Sequence, residues 1–227
     1  ESYNQDPREG KVNLSIGIYS DAEGKVPVLK AVQEAEKHLL QNSAPRVYLP
    51  MEGLGSYVDC VQKLLLGENH PLYKEERLAS VQSLGGTGAL KVGADFLKTI
   101  VPNSKVYVSD PTWNNHIAIF NGAGFEVESY PYFDPKTKGV AFDELYSFME
   151  KLPADSIVIL HACCHNPTGA DLSSEEWQKL ADLFKERELI PFLDMAYQGF
   201  SKGIYEDAEA IRVFAEAGLP IRIHRKQ

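Results

Sequence analysis

Four short stretches of this 227-residue sequence concentrate side chains that can do chemistry. The first, Asp194-Met-Ala-Tyr197-Gln198-Gly199, ends the apolar run Ile190-Pro-Phe-Leu193. A carboxylate at the end of a buried strand is costly unless a cation faces it. Two unit charges ~4 Å apart at an effective dielectric of ~20 interact by about 4 kcal/mol, enough to keep a weakly basic ring nitrogen protonated. The other role open to Asp194 is a helix N-cap. The second stretch, Gly85-Gly86-Thr87-Gly88, runs into Ala89-Leu90-Lys91. Glycines leave backbone amides accessible, and a helix N-terminus adds partial positive charge, which suits a phosphate. Turns of this kind also occur without any ligand, and the spacing is neither a Walker A loop nor a GxGxxG fingerprint. The third is His161-Ala-Cys163-Cys164-His165-Asn166-Pro167-Thr168-Gly169, after Ser156-Ile-Val-Ile-Leu160. Its histidines and cysteines invite a zinc reading. Adjacent side chains of extended backbone point to opposite faces, however, so Cys163 and Cys164 are not expected to share an ion, and no metal is assigned. Asn166-Pro-Thr-Gly is either a turn that aims an amide or a plain turn. The fourth is Asp110-Pro-Thr-Trp113-Asn-Asn-His116, where Trp113 either joins the core or stacks on a flat ring.

Positioning these stretches falls to elements that the hydrophobic pattern outlines. Helices are expected from Pro27 (with Val28, Leu29, Val32, Ala35, Leu39 and Leu40), over Gly55–Leu66, Thr87–Ile100, Trp113–Ala123, Phe142–Lys151, Ser173–Glu188 and Asp207–Ala217. Ser173 with Glu176 three residues later forms a capping-box signature. Strands are expected over Lys105–Ser109, Phe125–Tyr130, Ser156–His161 and Leu189–Leu193, with another starting at Pro220. Strands alternating with helices of this length imply βαβ units, hence a three-layer α/β domain around a mostly parallel sheet. Ligands of such sheets sit outside the carboxyl ends of the strands, which is where all four stretches fall.

Composition narrows the function. A net charge of -9 without a Lys/Arg stripe argues against nucleic acid or anionic lipid as the main partner. No apolar stretch is long enough to span a bilayer, and the polar opening Glu1–Gly10 is unlike a secretory signal. Three cysteines, two of them adjacent, do not form a disulfide framework, which implies a reducing cytoplasm. A first residue of Glu1 leaves room for sequence ahead of it.

Taken together, the stretches resemble the fold-type I aminotransferases that use pyridoxal 5'-phosphate, in the branch acting on aspartate and aromatic amino acids. The resemblance runs in order from about Val12 to Pro220 through NLSIGIYSDAEGKVP, YLPMEGL, GGTGALKVGADFL, SDPTWNNHIAIF, CCHNPTGAD and FLDMAYQGF. The wording around YLPMEGL and ELIPFLDMAYQGF is most similar to bacterial tyrosine aminotransferases. The resemblance implies an amino-group transfer between aromatic or dicarboxylic amino acids and 2-oxoglutarate. By position it implies that Gly86, Thr87 and Gly88 bind the cofactor phosphate and that Trp113 stacks on the pyridine ring. Asn166 and Tyr197 would meet the phenolic oxygen, and Asp194 would pair with the ring nitrogen. His116 and His161 would orient this network. Gly17 would lie in a loop closing over substrate, with Trp113 and Asn166 also near substrate, and Tyr48 would reach the phosphate of a neighbouring subunit, implying a homodimer with shared sites. Residues 1–26 would form an N-terminal arm, and 27–227 part of the cofactor-binding large domain.

The family's Schiff-base lysine belongs to a Ser-x-Ser-Lys segment after Gly-Leu-Pro. Here Gly218-Leu219-Pro220 continues as Ile221-Arg-Ile-His-Arg-Lys226-Gln227, and Lys226 lacks the flanking serines. The family's arginines for the cofactor phosphate and the substrate carboxylate are expected beyond it too. The expectation is therefore a partial site whose chain turns over very slowly or not at all, or a non-catalytic phosphate-binding or dimerising module.

Overall fold

A computed structural model of the chain describes residues 2–11, 19–45, 47–219 and 222–225. Two compact units divide it, Glu1–Tyr48 and Leu49–Gln227. The first carries α1 (Ser2–Gln5) and α2 (Lys30–Gln41). Helix α2 starts at Lys30, not at Pro27, because Leu29 is an extended N-cap (φ -62°, ψ 138°) and leaves the proline outside the first turn.

The second unit runs α3 (Gly55–Leu66), α4 (Pro71–Lys74), α5 (Gly85–Ile100), β1 (Val106–Asp110), α6 (Asn114–Gly122), β2 (Val127–Pro131), β3 (Phe133–Asp134), β4 (Gly139–Val140) and α7 (Phe142–Met149). It continues with β5 (Ile157–His161), α8 (Ser174–Glu186), β6 (Ile190–Met195), a short helical turn over Glu206–Ala208, α9 (Glu209–Glu216) and β7 (Arg222–Arg225). Five of these strands form one parallel sheet in the order β2-β1-β5-β6-β7, and β3 and β4 make a separate antiparallel ribbon.

The central strands β5 and β6 are near-continuous apolar runs because both faces of the sheet are covered there. Val106 and Val108 of β1, Ile157 and Ile159 of β5, and Phe192 of β6 join Leu90, Ala94 and Leu97 of α5 and Ile119 and Phe120 of α6 in one core. The alternate residues Tyr107, Val158, Leu160, Leu193 and Met195 join α7, α8 and α9 in the other through Leu145, Leu180, Phe184, Ile211 and Phe214. The period-2 alternation of strand side chains therefore yields three layers. Helix α5 approaches the sheet closely: a Cβ built on Gly93 would lie 2.7 Å from the Phe192 ring.

The order of strands reverses at one point. The chain passes from β1 outward to β2, then returns to β5 on the other side of β1 and proceeds to β6 and β7. The helices following β1 and β5 sit on opposite faces, the arrangement in which ligands bind between the carboxyl ends of the two strands. Helix α8 starts with the capping box expected from sequence, Ser173 accepting from the Glu176 amide while Glu176 accepts from the Ser173 amide. Ser173→Ala is expected to lower unfolding free energy by about 1 kcal/mol, measured as a lower urea midpoint at unchanged slope.

Candidate active site

The parallel register sets His161, the last residue of β5, beside Asp194, the penultimate residue of β6. The Ala162 amide donates to the Asp194 carbonyl at 2.9 Å, which fixes the two strand ends together. Asp194 is 4% exposed, and its Oδ2 lies 2.7 Å from Nε2 of the fully buried His116. A carboxylate only accepts, so Nε2 carries a proton, and Nδ1 lies 2.9 Å from the Thr112 hydroxyl. Asp194 is thus a strand residue tied to a histidine, which settles against the N-cap role. Trp113 is the extended N-cap of α6, and its half-buried ring meets His116 edge-on, with centroids 5.5 Å apart at 89°. Trp113, His116 and Asp194, expected separately from sequence, form one array at the strand ends.

Three histidines pack behind it with tilted rings, His116 against His161 at 5.0 Å and 58° and His161 against His165 at 4.2 Å and 56°. Burial, reinforced by His116, lowers the His161 pKa to about 4 despite the Asp194 charge nearby, so His161 is neutral at pH 7. Burial lowers the His165 pKa as well. Among the described residues neither ring nitrogen of His161 has a hydrogen-bond partner. Because the unfolded chain takes up protons at these histidines near pH 6.5 and the folded chain does not, stability falls as pH drops below 6.5 towards 4. The expected slope is ~1.4 kcal/mol per pH unit for each histidine, and His161→Gln is expected to remove one histidine's share. Urea midpoints at pH 7 and pH 5.5 check this.

Asn166 follows these histidines in a turn that other side chains hold. Asp171 accepts from the amides of Cys164 and His165 at 2.7 and 2.8 Å. The His165 ring is stacked on Tyr132 at 3.9 Å and hydrogen-bonded to Ser109 and Thr168, both at 2.8 Å. Gly169, at φ +67°, closes the turn onto the His165 carbonyl at 2.7 Å, a conformation a side chain would strain. Sequence reading missed His165, Asp171 and Thr112 as supports. The only signal was their closeness to Asn166 and His116, and Tyr132 gave none.

The expectation that Cys163 and Cys164 point apart is corrected. This segment bends instead of extending, and Cys164 adopts φ +50°, so both sulfurs lie within 4.8 Å of one another and of the Asp207 carboxylate. Asp207 itself accepts from the amides of Gly199, Ser201, Lys202 and Gly203, which leaves its oxygens committed to the loop after Tyr197.

Helix α5 reaches β1 through a short connection and packs on that strand, so it runs antiparallel to it and its first turn lies towards the strand's carboxyl end. That turn contains Gly85–Gly88, two residues earlier than expected, with no acidic residue and no side-chain cap. A Cβ on Gly88 would meet nothing closer than Leu84 Cβ at 3.6 Å, and one on Gly85 would meet nothing within 4 Å. Gly85 owes its glycine to its left-handed backbone, φ +61°, whereas nothing in the chain's packing requires one at Gly88, where the space suits an anion on the amides. Tyr197 lies just past β6, half-buried, and accepts at its carbonyl from the Cys164 thiol at 3.7 Å. Tyr48 ends the first unit and is fully exposed, and Gly17 and Lys226 lie outside the described residues. The donor set of a glycine-rich helix start, a buried carboxylate and a half-buried indole fits a flat, cationic, phosphorylated ring.

An α/β domain with its site at the strand ends, across the point where strand order reverses, defines the class. The match to known sequences then defines the family: residues 9–224 match aminotransferase class I and II, and the chain belongs to this family of pyridoxal-phosphate-dependent aminotransferases. It is 57% identical over 221 residues to the aromatic-amino-acid aminotransferase of Escherichia coli, covering 97% of this chain and 56% of that one. It is 51% identical over 219 residues to the aspartate aminotransferase of Pseudomonas aeruginosa, covering 96% of this chain and 55% of that one. The structure superposes with a TM-score of 0.93 and 50% identity on the aromatic-amino-acid aminotransferase of Burkholderia pseudomallei covalently bound to pyridoxal phosphate, covering 99% of this chain and 56% of that one. The chain therefore spans little more than half the length of these relatives. Among the described residues no helix is long and apolar enough to cross a membrane.

Proposed function

We propose that these 227 residues form the cofactor-gripping part of an aminotransferase that moves the α-amino group between aromatic or dicarboxylic amino acids and 2-oxoglutarate. The observation that carries this is the array in which Trp113, His116 and the buried Asp194 meet at the strand ends. Bound pyridoxal phosphate supplies an electron sink for the charge left when an amino acid loses its α-proton. In this reading Asp194 holds the proton on the ring nitrogen, and His116 fixes the carboxylate so that it faces the ring. Trp113 covers one ring face, Asn166 and Tyr197 address the phenolic oxygen, and the amides and hydroxyl of Gly86, Thr87 and Gly88 hold the phosphate. The exposure of Tyr48 supports a role across a homodimer interface, and three free cysteines support a reducing, cytoplasmic setting.

None of the lysines stands in a Ser-x-Ser-Lys segment. We accordingly propose that the chain by itself holds the cofactor without turnover. Titration with pyridoxal phosphate, followed by a thermal shift, is expected to show saturable stabilisation that pyridoxal lacking the phosphate does not reproduce. Tyrosine or aspartate with 2-oxoglutarate should give no product. Equal stabilisation by both compounds would remove the phosphate role of the Gly85–Gly88 turn.

A further inference from the structure

The adjacent thiols Cys163 and Cys164 have no part in the proposed chemistry, yet they join its two loops. Cys163 Sγ donates to Met195 Sδ at 3.4 Å, and Cys164 Sγ donates to the Tyr197 carbonyl at 3.7 Å. Both bonds run from the segment that carries Asn166, one to the end of β6 and one to the loop just past it. The left-handed backbone of Cys164 brings its sulfur round to the side of Cys163. A niche of about 30 Å³, lined by Cys163, Trp177, Lys202 and Asp207 among others, lies beside the pair. Asp207 is held by its four amides, so the cluster offers two thiols and no free carboxylate.

We propose that Cys163 and Cys164 are an oxidation site, at which hydrogen peroxide converts the pair to a vicinal disulfide and thereby releases the Asn166 turn from the end of β6. Cys164 is the attacking sulfur. It is the less buried of the two, and exposure to peroxide favours the more accessible thiol. Its thiolate attacks one peroxide oxygen, the O–O bond breaks, and the departing hydroxide takes up the thiol proton as water, leaving a sulfenic acid. Cys163 sulfur then attacks the sulfenic sulfur, the S–O bond breaks, and hydroxide leaves with the Cys163 proton as a second water. Two thiols have lost two electrons and two protons, and peroxide has been reduced to two waters. A disulfide has no S–H, so both sulfur hydrogen bonds to β6 and Tyr197 are lost together. The amides of Cys164 and His165, which Asp171 now holds, are carried along with the new ring.

The test uses the full chain with Cys60→Ser, which removes the third thiol. After peroxide treatment the intact mass is expected to fall by two hydrogen atoms, with two alkylatable thiols becoming none and dithiothreitol restoring both. Neither Cys163→Ser nor Cys164→Ser in that background should show the loss. Amide exchange at Cys164 and His165 should accelerate at least ~10-fold in the oxidised chain. Addition of oxygen atoms, an intermolecular dimer or two persisting thiols would overturn the proposal. So would a disulfide that leaves exchange at these amides unchanged.

Discussion

Asp194→Asn is expected to weaken pyridoxal phosphate binding by roughly 30- to 1,000-fold, corresponding to about 2–4 kcal/mol. Asp194 is buried at the end of β6, with His116 on Oδ2 and the strand end of β5 alongside. Within so dry a site a carboxylate and a protonated ring nitrogen attract far more strongly than in water. Asparagine keeps the shape and a carbonyl that still accepts from His116 Nε2, but it removes the charge. The fold should therefore lose no more than ~1.5 kcal/mol, the size of an ordinary hydrogen bond. Asp194→Leu, by contrast, leaves the buried His116 N–H without its carboxylate and should also cost stability. Fluorescence or absorbance titration of the two variants, alongside urea unfolding, separates loss of the cofactor's partner from loss of the fold.

Phe192→Ala is expected to lower unfolding free energy by about 3–5 kcal/mol. Phe192 is 2% exposed in β6, between β5 and β7, and its ring meets Phe120 edge-on at 5.4 Å. It also closes the contact of α5 with the sheet, since Gly93 has no Cβ and the ring fills that space. Removing the ring opens a cavity under α5 that neighbouring strands cannot fill by shifting. For a domain with ~5–15 kcal/mol of net stability, this is a large share. Gly93→Ala should be destabilising on its own because its methyl overlaps the ring. Combined with Phe192→Ala it should cost less than the sum of the two, a coupling that a double-mutant cycle in urea reads directly.

Much of this architecture was legible in the order of residues. Apolar runs such as Ile157–Leu160 and Pro191–Leu193 could only be strands covered on both faces, and the helices between them carried their own start signals, Ser173 with Glu176 above all. That much defined a parallel sheet, and with it the edge at which the reactive loops had to gather. Elements too short to show a period were not legible: the ribbon Phe133–Asp134 with Gly139–Val140 read as a connection, and α4 passed unnoticed. At the site, Trp113 and Asp194 could be read because strand ends placed them and His116 came only with the family resemblance, whereas His165 and Asp171 could not be read. Their work depends on a turn whose geometry comes from Gly169 and from a ring on another strand connection, Tyr132. The Cys163–Cys164 arrangement was misread for the same reason. A single left-handed residue undoes the alternation that strand reasoning assumes.

The central claim is that this chain grips pyridoxal phosphate through Asp194, Trp113 and the Gly85–Gly88 turn without a lysine bonded to it. Borohydride reduction of the chain saturated with pyridoxal phosphate, followed by peptide mass mapping, tests it most directly. The expected result is saturable binding that Asp194→Asn weakens, with no stoichiometric label on any lysine. Full labelling of one lysine together with turnover of tyrosine and 2-oxoglutarate would contradict it.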